Sequence, residues 1–265
     1  MSESRQRWRL VFRRDEIAKY LSHLDAVHAW ERALRRGRIP VAMSEGFNPR
    51  PKLAFAAPLQ LGMLAEHELA DLFLAERLTA PDLRDRLAAC LPRGYVPTEL
   101  FDVWTGEANL APQLAAADYR LTLVGVGAGE LAGAVERLLA ATSLSRERQR
   151  EGRTTRYDLR PLVIDLRIRT PQATPDVASR VLPDGAEPAP GLWMRLRHSQ
   201  DAGTGRAEEV VAALADDLGL RLGWNDADES ESPTAAPDAA VEPNARAIEV
   251  VEPVRERLWL ASELK

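Results

Sequence analysis

The sequence predicts an α+β protein built as two tandem ferredoxin-like units, each βαββαβ. Three observations carry this. The chain opens on a strand-like alternation. Two capped helical stretches then alternate with further strand-like runs. The same order of elements returns in the second half without close sequence repetition.

The first strand is Arg7-Trp8-Arg9-Leu10-Val11-Phe12-Arg13. Trp8, Leu10 and Phe12 share one face, and Arg7, Arg9 and Arg13 share the other, which predicts a half-buried strand. Ser22-His23-Leu24-Asp25 has capping-box spacing, so Ser22 should open a helix that runs to about Arg36 and stops at Gly37. Residues 52–59 and 68–74 read as strands. Thr79-Ala80-Pro81-Asp82 opens a second helix, with Leu83, Leu87 and Leu91 at helical spacing. Residues 95–104 return as a strand. In the second half, strands are expected at 119–124, 157–169, 192–198 and 248–260, and helices at 129–141 and 207–218. The first unit should occupy residues 1–106 and the second 118–265. Residues 107–117, rich in Ala, should link them. Residues 225–245, including NDADESESPTAAPDAAVE, should form a disordered acidic insert, because the segment has few bulky apolar groups to offset chain entropy.

The chain has 265 residues, 45% hydrophobic and 28% charged, enough to bury real cores. No apolar run approaches the ~20 residues that span a bilayer, and the first residues lack a signal-peptide pattern. The one cysteine, Cys90, rules out an internal disulfide and a cysteine metal cluster. These features predict a cytoplasmic protein with no membrane partner, no metal and no cofactor. Net charge is −5, but it is unevenly spread. Residues 1–60 hold 12 Lys/Arg against 6 Asp/Glu, an excess of +6 in an otherwise acidic chain. Such asymmetry points to a basic face.

Candidate site residues concentrate between Tyr20 and Lys52. On the first helix, His28, Arg32, Arg35 and Arg36 fall at i, i+4, i+7 and i+8, one continuous stripe. It is either a solvated face, with Glu31 and Arg35 paired, or a phosphate-contacting one, for which the guanidinium fork suits two oxygens. The loop Gly46-Phe47-Asn48-Pro49-Arg50-Pro51-Lys52 is stiffened by two prolines, and Gly46 and Asn48 tolerate left-handed geometry. Phe47, followed by Arg50 and Lys52, is arranged to stack a base and hold its phosphate, or to anchor a protein partner. In the second half, Trp193, Arg195 and Arg197 share a strand face, and Arg167 and Arg169 another. These suit an RNA-recognition sheet, or cross-strand pairing with carboxylates such as Asp165. His23 and Tyr20 are the weak catalytic candidates, with His23 equally suited to a structural place in the helix cap. There is no Walker loop, Rossmann fingerprint or nucleophile elbow.

The blocks YLSHLD, WERALRR, SEGFNPRPK and RTTRYDLRP resemble the radical-SAM-linked protein family, a domain of unknown function found alone or fused behind a radical SAM domain. The three-cysteine motif that ligates a radical SAM cluster is absent, so the resemblance implies the partner module and a radical SAM protein as its partner. More distantly, tandem ferredoxin-like units with a basic Gly-rich loop resemble Cas6 and RAMP RNA-processing proteins, an analogy of fold alone. The functional expectation is an RNA-binding accessory module. The alternatives are an RNA-processing or RNA-modifying enzyme using His23, and a purely protein-binding module.

Overall fold

In the computed structural model the described residues are 4–150, 153–169, 189–199, 201–224 and 246–264. The expected acidic insert, 225–245, lies outside them. The chain is a mixed α+β protein that divides into two compact units. The first comprises residues through Ala115 together with Val254 onward, and the second comprises Ala116–Pro253.

In the first unit, β1 (Gln6–Arg14) is followed by α1 (His23–Arg36), β2 (Leu53–Phe55), β3 (Leu64–Leu74), α2 (Ala80–Cys90) and β4 (Tyr95–Val103). Strand β1 lies between β3 and β4 and is antiparallel to both, and β2 pairs antiparallel with β3. The lower part of β3 also takes a parallel partner, Val254 and Arg255, from the last strand of the chain. Ser22 caps α1 as its spacing predicts: Asp25 N–H donates to Ser22 Oγ at 3.2 Å. Thr79 caps α2 in the same way. Gly37 ends α1 because of its neighbour. A Cβ there would sit 2.6 Å from Cys90 Sγ, so no larger residue lets the helix end approach α2. The core of this unit holds Trp8, Leu10 and Phe12 from β1, Trp30 and Leu34 from α1, and Leu83 and Leu87 from α2. Its centre is aromatic: Trp30 stands 5.0 Å from Phe12, 5.3 Å from Phe55 and 5.5 Å from Tyr95, ring to ring.

The arginine face of β1 differs from its expectation. Arg7 and Arg9 are buried, and only Arg13 is exposed. Arg7 donates to Asp71 through Nε (3.1 Å) and Nη2 (2.5 Å), and Arg9 donates through Nε (2.9 Å). Arg7 also donates to the carbonyls of Glu107 and Ala108, and Arg9 pairs with the Glu107 carboxylate at 3.3 Å. The stretch read as a linker thus supplies acceptors for β1, and its Leu110 is 2% exposed. Alternation located the two faces of the strand but not what covers the polar one.

In the second unit, β5 (Leu114–Val124) leads into α3 (Ala128–Ala140). A hairpin of β6 (Ser145–Arg150) and β7 (Arg153–Asp158) forms its own two-stranded sheet. Then come β8 (Val163–Arg169), β9 (Gly191–Ser199), β10 (Gly203–Thr204), α4 (Ala207–Leu218), β11 (Arg221–Gly223) and β12 (Ala247–Leu260). The single strand expected over 157–169 is two, because a 3₁₀ turn at Arg160–Leu162 breaks it. Pro161, which has no N–H to give a ladder, sits inside that turn. Strand β9 pairs antiparallel with β5 and β8, and β12 lies beside β5. The last residues of β12 belong to the first unit.

Candidate nucleic-acid interface

Helix α1 buries Ala26, Trp30, Ala33 and Leu34 against the first unit's core, and this fixes where its opposite side points. His28, Arg32, Arg35 and Arg36 are all exposed on that side. Arg36 bends back to donate to the Cys90 carbonyl at 2.8 Å. Arg32 and Arg35 have no carboxylate partner among the described residues, so the Glu31–Arg35 pair does not form. Their charge is therefore left to solvent or to a ligand.

The loop that follows is clamped at its neck and open at its tip. Ser44 N–H donates to the Arg50 carbonyl (2.8 Å), and Arg50 N–H donates to Ser44 Oγ (2.9 Å). Met43 and Pro51 form a β-bridge, and Lys52 N–H donates to the Ala42 carbonyl at 2.8 Å. Above this neck the chain turns at Gly46, whose φ of 117° is closed to L side chains. Asn48, which tolerates the left-handed region, does not use it. Phe47 stands at the tip with 105% relative exposure. Nothing in the fold rewards placing a phenyl ring there. Asn48 and Arg50 are exposed beside it, and Lys52 is half-buried at the neck.

The strand face of the second unit is more self-contained than its sequence suggests. Trp193 sits opposite Arg120 on β5 and Arg167 on β8. Guanidinium groups of Arg169, Arg167 and Arg195 lie 4.9, 5.6 and 5.6 Å from its ring, and it is only 7% exposed. Arg195 is held by Asp118 through two bonds of 2.7 and 2.8 Å, and Arg167 pairs with Asp165 at 2.5 Å. Arg197 is exposed and donates to the Pro161 carbonyl. The aromatic is therefore shielded, and two of the cations are already neutralised.

The catalytic candidates separate. Tyr20 is exposed, with the Lys19 ammonium 5.1 Å from its ring. His23, the first residue of α1, packs edge-on against Phe55 at 5.8 Å. Burial, then the charges of Arg255 and Arg14, push its pKa below the ordinary imidazole value. Sequence reasoning missed the buried group that surrounds it, in which Arg255 and Glu68 are doubly bonded and Arg14 is enclosed by carbonyl oxygens. A signal was available. Within residues 68–74, read as a strand, Glu68 and Asp71 interrupt an otherwise apolar run, and buried carboxylates need cationic partners. Among the described residues no cluster of three His, Cys, Asp or Glu could hold a metal ion, and no helix is long and apolar enough to cross a membrane.

Comparison with known proteins places the chain in a family. It belongs to the family described as uncharacterized protein conserved in bacteria (DUF2344), whose model matches residues 7–188. No curated protein matches. Among solved structures, one described as an unknown protein from Galdieria sulphuraria is similar at 15% identity and a TM-score of 0.24, covering 82% of this chain and 95% of that one. At that level of likeness neither fold nor function transfers.

Proposed function

We propose that this chain is an RNA-binding accessory module made of two tandem ferredoxin-like units, acting as the partner of a radical SAM enzyme. The fold reading is supported by strand order. In each unit the first strand lies between the third and fourth, and the second flanks the third: β4-β1-β3-β2, and β12-β5-β9-β8. The partner enzyme rests on the family resemblance of the YLSHLD and SEGFNPRPK blocks.

The observation that carries RNA binding is Phe47. A fully exposed aromatic on a braced backbone costs hydration free energy and returns nothing to the fold, so its benefit lies in a bound state. Its setting favours nucleic acid over protein. Residues 31–52 hold six Lys/Arg against two Asp/Glu, and an aromatic among cations stacks a base while its neighbours neutralise phosphates. In the second unit, Arg197 offers a further exposed cation, whereas Arg195 is engaged with Asp118.

The test is titration of a single-stranded RNA of about 20 nucleotides at ~50 mM salt, where phosphate contacts are strong. The wild type should bind, and Phe47→Ala should weaken binding by about 1–3 kcal/mol. Absence of binding by the wild type overturns the proposal. If Phe47→Ala then disrupts a complex with another protein, the loop is a protein anchor.

A further inference from the structure

The sheet of the first unit ends on β4. One edge of β4 pairs with β1, and among the described residues no strand takes the other edge. An open edge presents a row of unpaired N–H and C=O groups, which proteins blunt with proline, bulges and charge. Here two of those devices sit together at one end. Pro97 lies in the strand, and Thr98 is an extra residue between the pairs Phe12–Pro97 and Val11–Glu99. The Thr98 hydroxyl donates to the Val11 carbonyl at 3.1 Å. Beyond them, Glu99 to Val103 runs in unbroken register with Val11 to Arg7. That half of the edge is regular and open.

Its side chains are not those of a solvated edge. Phe101 is 49% exposed and Trp104 is 76% exposed. Trp104 is held in place even so. The Glu107 N–H donates to its carbonyl at 3.0 Å, and a Cβ at Gly106 would sit 2.6 Å from its ring. The glycine makes room for an aromatic that adds little burial to the fold. Glu99 and Asp102, both exposed, flank Phe101. Residues 94–117 contain three Asp/Glu and no Lys/Arg. Glu107 is paired with Arg9, and Asp102 meets only the neutral Gln6 amide at 2.8 Å, which leaves its charge uncompensated. Arg13, the exposed cation of β1, stands opposite Val96, on the far side of the bulge.

We propose that the Glu99–Trp104 half of β4 docks another protein by strand addition, taking an extended segment rich in Lys/Arg and aliphatic residues. Main-chain bonds to the open edge supply affinity, while the aromatics and carboxylates select the side chains. Charge decides the occupant. The phosphates of RNA are repelled by Glu99 and Asp102, and two copies pairing edge to edge would bring their own carboxylates together with no cation to offset them. A basic segment satisfies both carboxylates. The inference is independent of the RNA reading, because it shares no residue with the surfaces assigned to RNA.

The probe is a fluorescein-labelled peptide of about ten residues alternating Lys and Val, long enough to cover the open half of a strand. It is titrated with the full chain and read by anisotropy. One control replaces each Lys with Glu. The other keeps Lys and Val but is N-methylated at consecutive amides, which blocks both of its edges. The Lys–Val peptide should bind saturably and slow hydrogen exchange at alternate amides between Glu99 and Trp104. Phe101→Ala and Trp104→Ala remove exposed rings, so both should fold, and each should weaken the peptide about tenfold. The proposal is overturned if the Lys–Val peptide does not bind, if either control binds as well, if exchange on β4 is unchanged, or if both variants bind like the wild type. A dimer seen in sedimentation and abolished by Phe101→Lys would assign the edge to a second copy and overturn it too.

Discussion

Arg7 and Arg9 on β1 are the same residue type as Arg32 and Arg35 on α1, and they belong to the same unit, yet they meet opposite surroundings. The first two are buried against Asp71, whose side chain is 0% exposed, with the Glu107 and Ala108 carbonyls taking further donors of Arg7 and the Glu107 carboxylate pairing with Arg9. The second two are exposed and have no carboxylate partner among the described residues. Where each donor is met inside the fold, the guanidinium belongs to the structure. Where none is met, the charge is available for a ligand. Counting positive charges over residues 1–60 mixes the two populations. Of the 12 cations there, Arg7, Arg9 and Arg14 are buried and contribute nothing to a binding surface.

The largest effect should come from breaking the buried side. Asp71→Ala strands two buried guanidinium groups and should cost about 3–5 kcal/mol in urea unfolding, as for other buried pairs deprived of one partner. Arg35→Ala should stay within about 0.5 kcal/mol of wild type in the same assay. Equal costs would erase the distinction between the two populations.

Phe47→Ala sharpens the exposed side. It should leave the urea midpoint unchanged, since the ring is fully exposed, while lowering RNA affinity by about 1–3 kcal/mol. A substantial loss of stability would mean that the ring is packed in solution and is no evidence for a ligand.

Local chemistry was the most legible part of the sequence. Ser22 and Thr79 mark helix starts through residues three positions on, and short-range spacing records them; the stop at Gly37 was readable as a glycine, but the Cys90 contact behind it was not. The helix stripe was legible for the same reason: α1 has one apolar side, so the arginines must take the other. Long-range pairing was not legible. Arg7 and Asp71 are 64 residues apart, and alternation cannot reveal that Glu107 and Ala108 bring carbonyls to Arg7. Trp193 illustrates the same limit. Its strand face was readable, but three guanidinium groups from two strands enclose its ring. The surroundings of His23 draw on β1, α1, β2, β3 and β4, so only the folded chain assembles them.

A smaller effect concerns the start of α1. Ser22→Ala should cost about 1 kcal/mol by removing the acceptor for the Asp25 N–H, measured by urea unfolding. No change would mean that solvent replaces the cap.

The smallest effect is a pH dependence. His23 and His67 both have pKa values held below the ordinary 6.5, by burial first and then by arginine charge. The unfolded chain therefore takes up protons at higher pH than the folded one. Stability should be fully present above about pH 6.5 and fall as the pH drops through the window below it. His23→Gln should flatten that slope, and an unchanged slope would show that His23 is not buried as described.

The most direct test of the central claim, that exposed and buried arginines divide between ligand and fold, is the salt dependence of RNA affinity. Wild type, Arg35→Ala and Lys52→Ala are titrated with one RNA across a range of salt concentrations. Affinity should fall steeply with salt, and each substitution should flatten the logarithmic slope by about 0.7–1 unit without changing sequence preference. Slopes identical to wild type, or no RNA binding at any salt concentration, would contradict the account.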